Sequence, residues 1–159
     1  MQDVNIEVIG IERLTERLDN LEKRTKNLKP LYNDIALHLY SIVEESFENE
    51  SSPDGIKWNP IKFRKNDLHP EKILYDSGDL QGKLYSQATA TSATVGINAI
   101  NNDFQYPLTH QFGTSKAGRN RNITIDERPF MPIKNDGTLY DGVEDELIEI
   151  VRDYFSFQS

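Results

Sequence analysis

Residues 30–58 read PLYNDIALHLYSIVEESFENESSPDGIKW. Leu31, Ile35, Leu39, Ile42, Val43 and Phe47 recur at intervals of mostly three or four, which puts them on one face of an α-helix. Pro30 suits the first turn, where a missing backbone N–H costs nothing. Ser51-Ser52-Pro53-Asp54-Gly55 is dense turn chemistry, so the helix is predicted to stop near Glu50. Pro53 presets φ and Gly55 accepts a conformation other residues resist, which fixes a tight turn. Trp58, the single tryptophan, has a large apolar face with which to anchor the returning chain.

On the N-terminal side, Val4, Ile6 and Val8 alternate with polar residues, so 4–9 reads as a half-buried strand closed by Gly10. Ile11, Leu14, Leu18, Leu21 and Leu28 then mark an amphipathic helix ending before Pro30. On the other side, 56–72 reads as a long loop around Pro60 and Pro70, and 83–90 with 92–97 as a β-hairpin. Residues 106–113 suggest a helical turn, 114–122 an exposed polar loop, and Ile123 with Ile125 a strand. Arg128 to Pro132 cannot be a regular strand, because Pro129 and Pro132 remove ladder donors. Val143, Leu147, Ile148, Val151, Tyr154 and Phe155 form the apolar face of a C-terminal helix. The expected fold is α+β: a mainly antiparallel sheet of about four strands, packed by two N-terminal helices and a C-terminal helix, with long loops.

At 159 residues the chain is expected to be a single domain, 1–159. It divides into a strand-plus-helical part (1–50), loops and sheet (51–135) and an acidic C-terminal helix (136–159). Leu, Ile, Val and Phe supply 42 residues, enough for a folded core though a lean one. The net charge is −8, and residues 136–159 carry seven acids against one base, which is −6 of it. That balance argues against phosphate backbones and anionic membrane surfaces, both of which are bound by Lys and Arg. The chain has no cysteine, which removes disulfides and thiolate chemistry together. The N-terminus lacks a signal-peptide pattern, and no apolar run is long enough for a membrane span, so a soluble protein made in a cytoplasm is expected.

His38, His69 and His110 are isolated in sequence, with no spacing that suits a metal, and no metal or other cofactor is expected. Nucleotide-binding glycine loops and local nucleophile signatures are absent. An enzyme remains the minority reading, a hydrolase using Asp76, Asp79 and His110, which would have to converge on one point of a cleft. Lys57, Lys62, Arg64 and Lys65 surround Trp58 and Phe63 in a basic-aromatic loop that would suit stacked bases. Lys116, Arg119 and Arg121 make a second basic loop. The acidic C-terminal segment of a neighbouring copy, with Asp141, Glu144 and Asp145, complements both loops better than nucleic acid does.

Five segments in order form a recognisable series: Ser52-Pro53-Asp54-Gly55 with Trp58 and Pro60; Ile73-Leu74 with Ser77, Gly78 and Leu80; Val95-Gly96-Ile97; Tyr106 with His110-Gln111-Phe112-Gly113; and Arg128-Pro129-Phe130. The series, spanning roughly Leu31 to Phe155, resembles the phage virion-morphogenesis family of Mu-like tail completion proteins. Pro107 departs from the alanine usual after the tyrosine, and Met131-Pro132-Ile133 from the usual leucine and glycine. The opening strand and helix also look like those of head–tail connector and neck proteins. The resemblance implies a structural role without catalysis, as a virion component assembled in the bacterial host cytoplasm. It implies self-association into a ring, hexameric by analogy, that meets tail-tube or connector proteins. Its signature positions imply scaffold residues. His110 and Gln111 have the hydrogen-bonding capacity to lock loops together, and Arg128 has five donors for a carboxylate or for backbone carbonyls.

Overall fold

The periodic stretch at 30–58 becomes the central helix of the protein. The computed structural model describes residues 15, 16, 18, 19, 27–61, 72–75, 78–98 and 106–156. Helix α1, Lys29–Asn49, has 21 residues and is therefore roughly 31 Å long. Proline sits at its start, and it ends at Glu50, which turns left-handed (φ 50°) and donates its N–H to the Ser46 carbonyl. Its buried face is Leu31, Ile35, Ala36, Leu39, Val43, Ser46 and Phe47, nearly the face that the periodicity selects. Ile42 is half-buried and packs against the same core.

Helix α2 is a single turn, Asp79–Gly82, which leads into strands β1 (Leu84–Ala88) and β2 (Ala93–Ile97). These pair antiparallel as the expected hairpin, with Leu84 opposite Ile97 and Ala88 opposite Ala93. Val95 and Ile97 are fully buried against α1. Helix α3, Tyr106–Phe112, is followed by β3 (Thr114–Ala117) and β4 (Ile123–Ile125). Helix α4, Val143–Ser156, buries Val143, Leu147 and Val151 and packs beside α1. Its acids Glu144, Asp145 and Glu146 occupy the first turn, where the helix dipole favours negative charge.

Three expectations need correction. The four described strands do not make one sheet; they form two separate antiparallel pairs, β1–β2 and β3–β4. Helix α3 intervenes between the pairs, and Pro129 and Pro132 stop β4 from extending as a ladder. The segment 114–122 is not all loop: it begins as β3, irregularly paired to β4 with Thr114 opposite Ile125 and Ala117 opposite Ile123. Its polar composition misled because both faces of this ribbon are largely exposed. Likewise, 136–142 forms a turn and connection, and the acidic helix starts only at Val143.

Thr15, Glu16, Leu18 and Asp19 are helical, as expected, and Leu18 is buried in the core. The strand predicted at 4–9 and most of the rest of the first helix lie outside the described residues. So do Lys62, Phe63, Arg64, Lys65, His69, Asp76, Ser77 and the side chain of Asp79. Leu28, the last apolar position assigned to that first helix, is buried but non-helical, just ahead of α1.

Candidate functional site

The turn after α1 closes as its sequence predicts. Gly55 (φ 84°) donates its N–H to the Ser52 carbonyl at 2.8 Å, and Ser52 donates to Ile56 at 2.8 Å. Ser51 and Lys57 thereby form an antiparallel bridge, and the Trp58 N–H reaches back to the Glu50 carbonyl. The Lys57 ammonium donates to the carbonyl of Asn49, one of the unpaired acceptors at the end of α1. Trp58 is thus swung onto the core, edge-on to Phe47 with ring centroids 5.9 Å apart. Its indole Nε1 donates to the Pro129 carbonyl at 2.9 Å.

That bond ties the first signature segment to the last. Arg128, 6% exposed, ties them a second time: its Nε donates to the Asn59 carbonyl at 3.1 Å. Its guanidinium also donates to the Asp126 carbonyl at 3.2 Å. The guanidinium therefore clamps backbone carbonyls, one of the two options its chemistry offers. Next to it, Phe130 is fully buried and stacks on Phe47 at 5.1 Å.

Gln111 on α3 completes the arrangement. Its side-chain oxygen accepts the N–H groups of both Phe130 and Met131 at 2.9 Å, and its amide nitrogen donates to the Ile133 carbonyl at 3.0 Å. A chain segment that prolines exclude from a sheet still has buried N–H and C=O groups to satisfy, and one side-chain amide does so. One position earlier, the backbone carbonyl of His110 accepts the Arg128 N–H at 2.6 Å. The His110 ring stands edge-on to Tyr106 (6.4 Å), and its buried Nδ1 has no hydrogen-bond partner among the described residues. Burial, and then the nearby Arg128 charge, push its pKa down to about 4, so the ring is neutral near pH 7.

Gly113 ends α3 with φ 68°, and a Cβ there would lie 2.9 Å from both the Glu127 nitrogen and the Ile125 oxygen. Only glycine lets β4 and its continuation pass this close. Phe112 is half-buried, while Leu80 of α2 is buried in the core and Gly78 before it has φ 73°. Trp58, Gln111, Gly113, Arg128, Pro129 and Phe130 thus meet in one knot, although 72 residues of sequence separate its ends.

The charged candidates sit elsewhere. Lys116, Arg119 and Arg121 are exposed on the β3–β4 hairpin. Asp141 accepts from Lys134 Nζ at 2.8 Å, and Glu144 and Asp145 open α4. A groove of about 480 Å3 runs between α1 and the start of α4, with His38, Glu45, Asp141 and Glu146 among its lining residues. His38 Nε2 and Glu146 Oε2 are 2.8 Å apart across it. A second hollow of about 420 Å3 lies on the other side of Asp141, beside Lys134, Glu144 and Asp145.

Sequence reasoning missed one feature here. Lys134-Asn135-Asp136-Gly137-Thr138 repeats the geometry of the turn at 52–56, with Gly137 donating to Lys134 and Ile133 bridged to Leu139. Asp136 holds it by accepting both the N–H and the hydroxyl of Thr138, which keeps its carboxyl below the usual range. The Asp-Gly pair was the available signal. Among the described residues, no cluster of three or more His, Asp or Glu is placed to hold a metal, and no helix is long and apolar enough to cross a membrane.

The sequence profile of the phage virion morphogenesis family matches residues 9–156. A curated relative, "Mu-like prophage FluMu G protein 2" of Haemophilus influenzae, is 31% identical over 152 residues, covering 96% of each chain. No solved structure matches. With nearly the whole chain matched, including every segment of the knot, this protein belongs to the phage virion morphogenesis family.

Proposed function

We propose that the protein is a structural component of virion assembly that completes a phage tail or joins head to tail. It does so by associating with copies of itself into a closed ring, with no turnover. The observation that carries this reading is the direction in which the signature residues spend their chemistry. Trp58, Gln111 and Arg128 donate to backbone carbonyls within the chain, and Gln111 also accepts from backbone N–H groups. They build a rigid scaffold, while the opposite charges of the β3–β4 hairpin and of the start of α4 are left on the surface. Such surfaces on one chain favour head-to-tail contacts, which close into rings when the rotation permits. The protein is expected to assemble in the bacterial cytoplasm and to meet tail-tube or connector proteins.

Light scattering and negative-stain electron microscopy across a concentration series, with and without tail-tube protein, test the reading. Rings of defined size, or particles capping tubes, support it. A strict monomer that binds neither tube nor connector overturns it.

A further inference from the structure

We infer that the β3–β4 hairpin is a docking arm, and that its receptor is the acidic groove between α1 and α4 of a second copy of this chain. The inference rests on the self-association reading above and names its contact surfaces.

The arm comes first. From Thr114 to Ile125 the chain carries three cations, Lys116, Arg119 and Arg121, and no acid. All three are exposed, and among the described residues none makes an ion pair. The hairpin packs chiefly on itself. Its tip is held by the Arg121 N–H donating to the Gly118 carbonyl at 3.0 Å, and Ile123 is 54% exposed at its side. A tip held in one turn presents Arg119 and Arg121 with less ordering cost on binding than a free loop would.

The receptor is the surface where two hollows meet at Asp141. Glu45, Asp141 and Glu146 line the first, Asp141, Glu144 and Asp145 the second. The basic side chains facing back are Lys134, bonded to Asp141, and His38, bonded to Glu146. Five carboxylates against one ammonium leave a strongly negative surface, and Glu45 has no ionic partner among the described residues. No residue of the hairpin lines either hollow, so the arm does not fill the receptor of its own chain. A volume of about 480 Å3 accepts two or three long side chains but not a folded domain. An arm with three exposed cations and a groove with surplus carboxylates on the same chain are a matched pair for head-to-tail association.

Charge exchange tests this. One variant carries Arg119→Glu with Arg121→Glu; the other carries Glu45→Arg with Asp145→Arg. All four positions are exposed, so folding should survive, and thermal melts verify that it does. Sedimentation velocity at low and high salt then reads association. The expected result is self-association roughly tenfold or more weaker for each variant alone, recovery when the two are mixed, and weakening of the wild type by salt. Mixing recovers binding because each original arm then meets an original groove, while the acidic arm meets a groove brought to neutral charge, three carboxylates against Lys134 and the two introduced arginines, that no longer repels it. If the wild type assembles and both variants assemble equally well, the arm–groove contact is wrong while the ring reading stands. If the wild type never self-associates, both fall. If the arm variant instead loses retention on single-stranded DNA with self-association unchanged, the arm serves nucleic acid and the proposal is overturned.

Discussion

The side-chain oxygen of Gln111 lies 2.9 Å from the backbone nitrogen of Phe130, 19 residues further along, in a site where Gln111 is 1% exposed. With the bonds to Met131 and Ile133, this amide replaces the ladder that prolines deny to the segment.

Gln111→Ala therefore strands two buried N–H groups and one carbonyl and leaves a void. It should cost about 3–5 kcal/mol, measured by urea denaturation, since each unmet buried group costs roughly 1–3 kcal/mol. A loss below about 1 kcal/mol would show that water replaces the amide without penalty.

Trp58→Phe keeps an aromatic ring against Phe47 but deletes the donor to the Pro129 carbonyl. A loss of about 1–3 kcal/mol is expected. Because Trp58 is the only tryptophan, its emission reports this contact in the wild type: blue-shifted when folded, shifting red on unfolding.

His110 gives a pH dependence of definite sign. Its pKa falls from 6.5 when unfolded to about 4 when folded, so the unfolded chain binds the extra proton first. Stability from this group is complete above pH 6.5 and declines as pH drops through that value toward about 4, by up to ~3 kcal/mol. His110→Gln should flatten the stability profile in that window relative to wild type. Parallel profiles would mean that the ring is solvated in the fold.

Gly113→Ala and Gly55→Ala separate strain from collision. Both glycines have positive φ, but a Cβ at Gly55 meets nothing within 4 Å, whereas at Gly113 it strikes backbone at 2.9 Å. The Gly55 change should cost about 1 kcal/mol, and the Gly113 change roughly 2 kcal/mol or more. Equal losses in thermal or urea melts would mean that the backbone beside Gly113 yields freely.

What the sequence alone determined is local. A spacing of mostly three or four apolar residues selected the faces of α1 and α4, and Pro30 and Ser51 to Gly55 set the ends of α1 within a residue or so. The β1–β2 hairpin followed from alternation, and the irregular course of 128–132 from its prolines. Resemblance carried by five separated segments then identified the family. What only the tertiary structure decided is which of those segments touch, and through which atoms. Hydrogen-bonding capacity was legible at Gln111 and Arg128, but the partners of Gln111 lie 19 to 22 residues away and Asn59, which Arg128 clamps, lies 69 residues away, at distances no local periodicity encodes. The division of four strands into two pairs was hidden for the same reason: strand pairing is a contact between distant residues, and Gly113 and α3 redirect the chain between them. The acidic tail read as one helix because charge is visible in sequence, whereas the Asp136-Gly137 turn depends on a bridge from Ile133 to Leu139. The placement of the surplus acids around a groove, apart from the basic hairpin, also emerged only when α4 was packed beside α1.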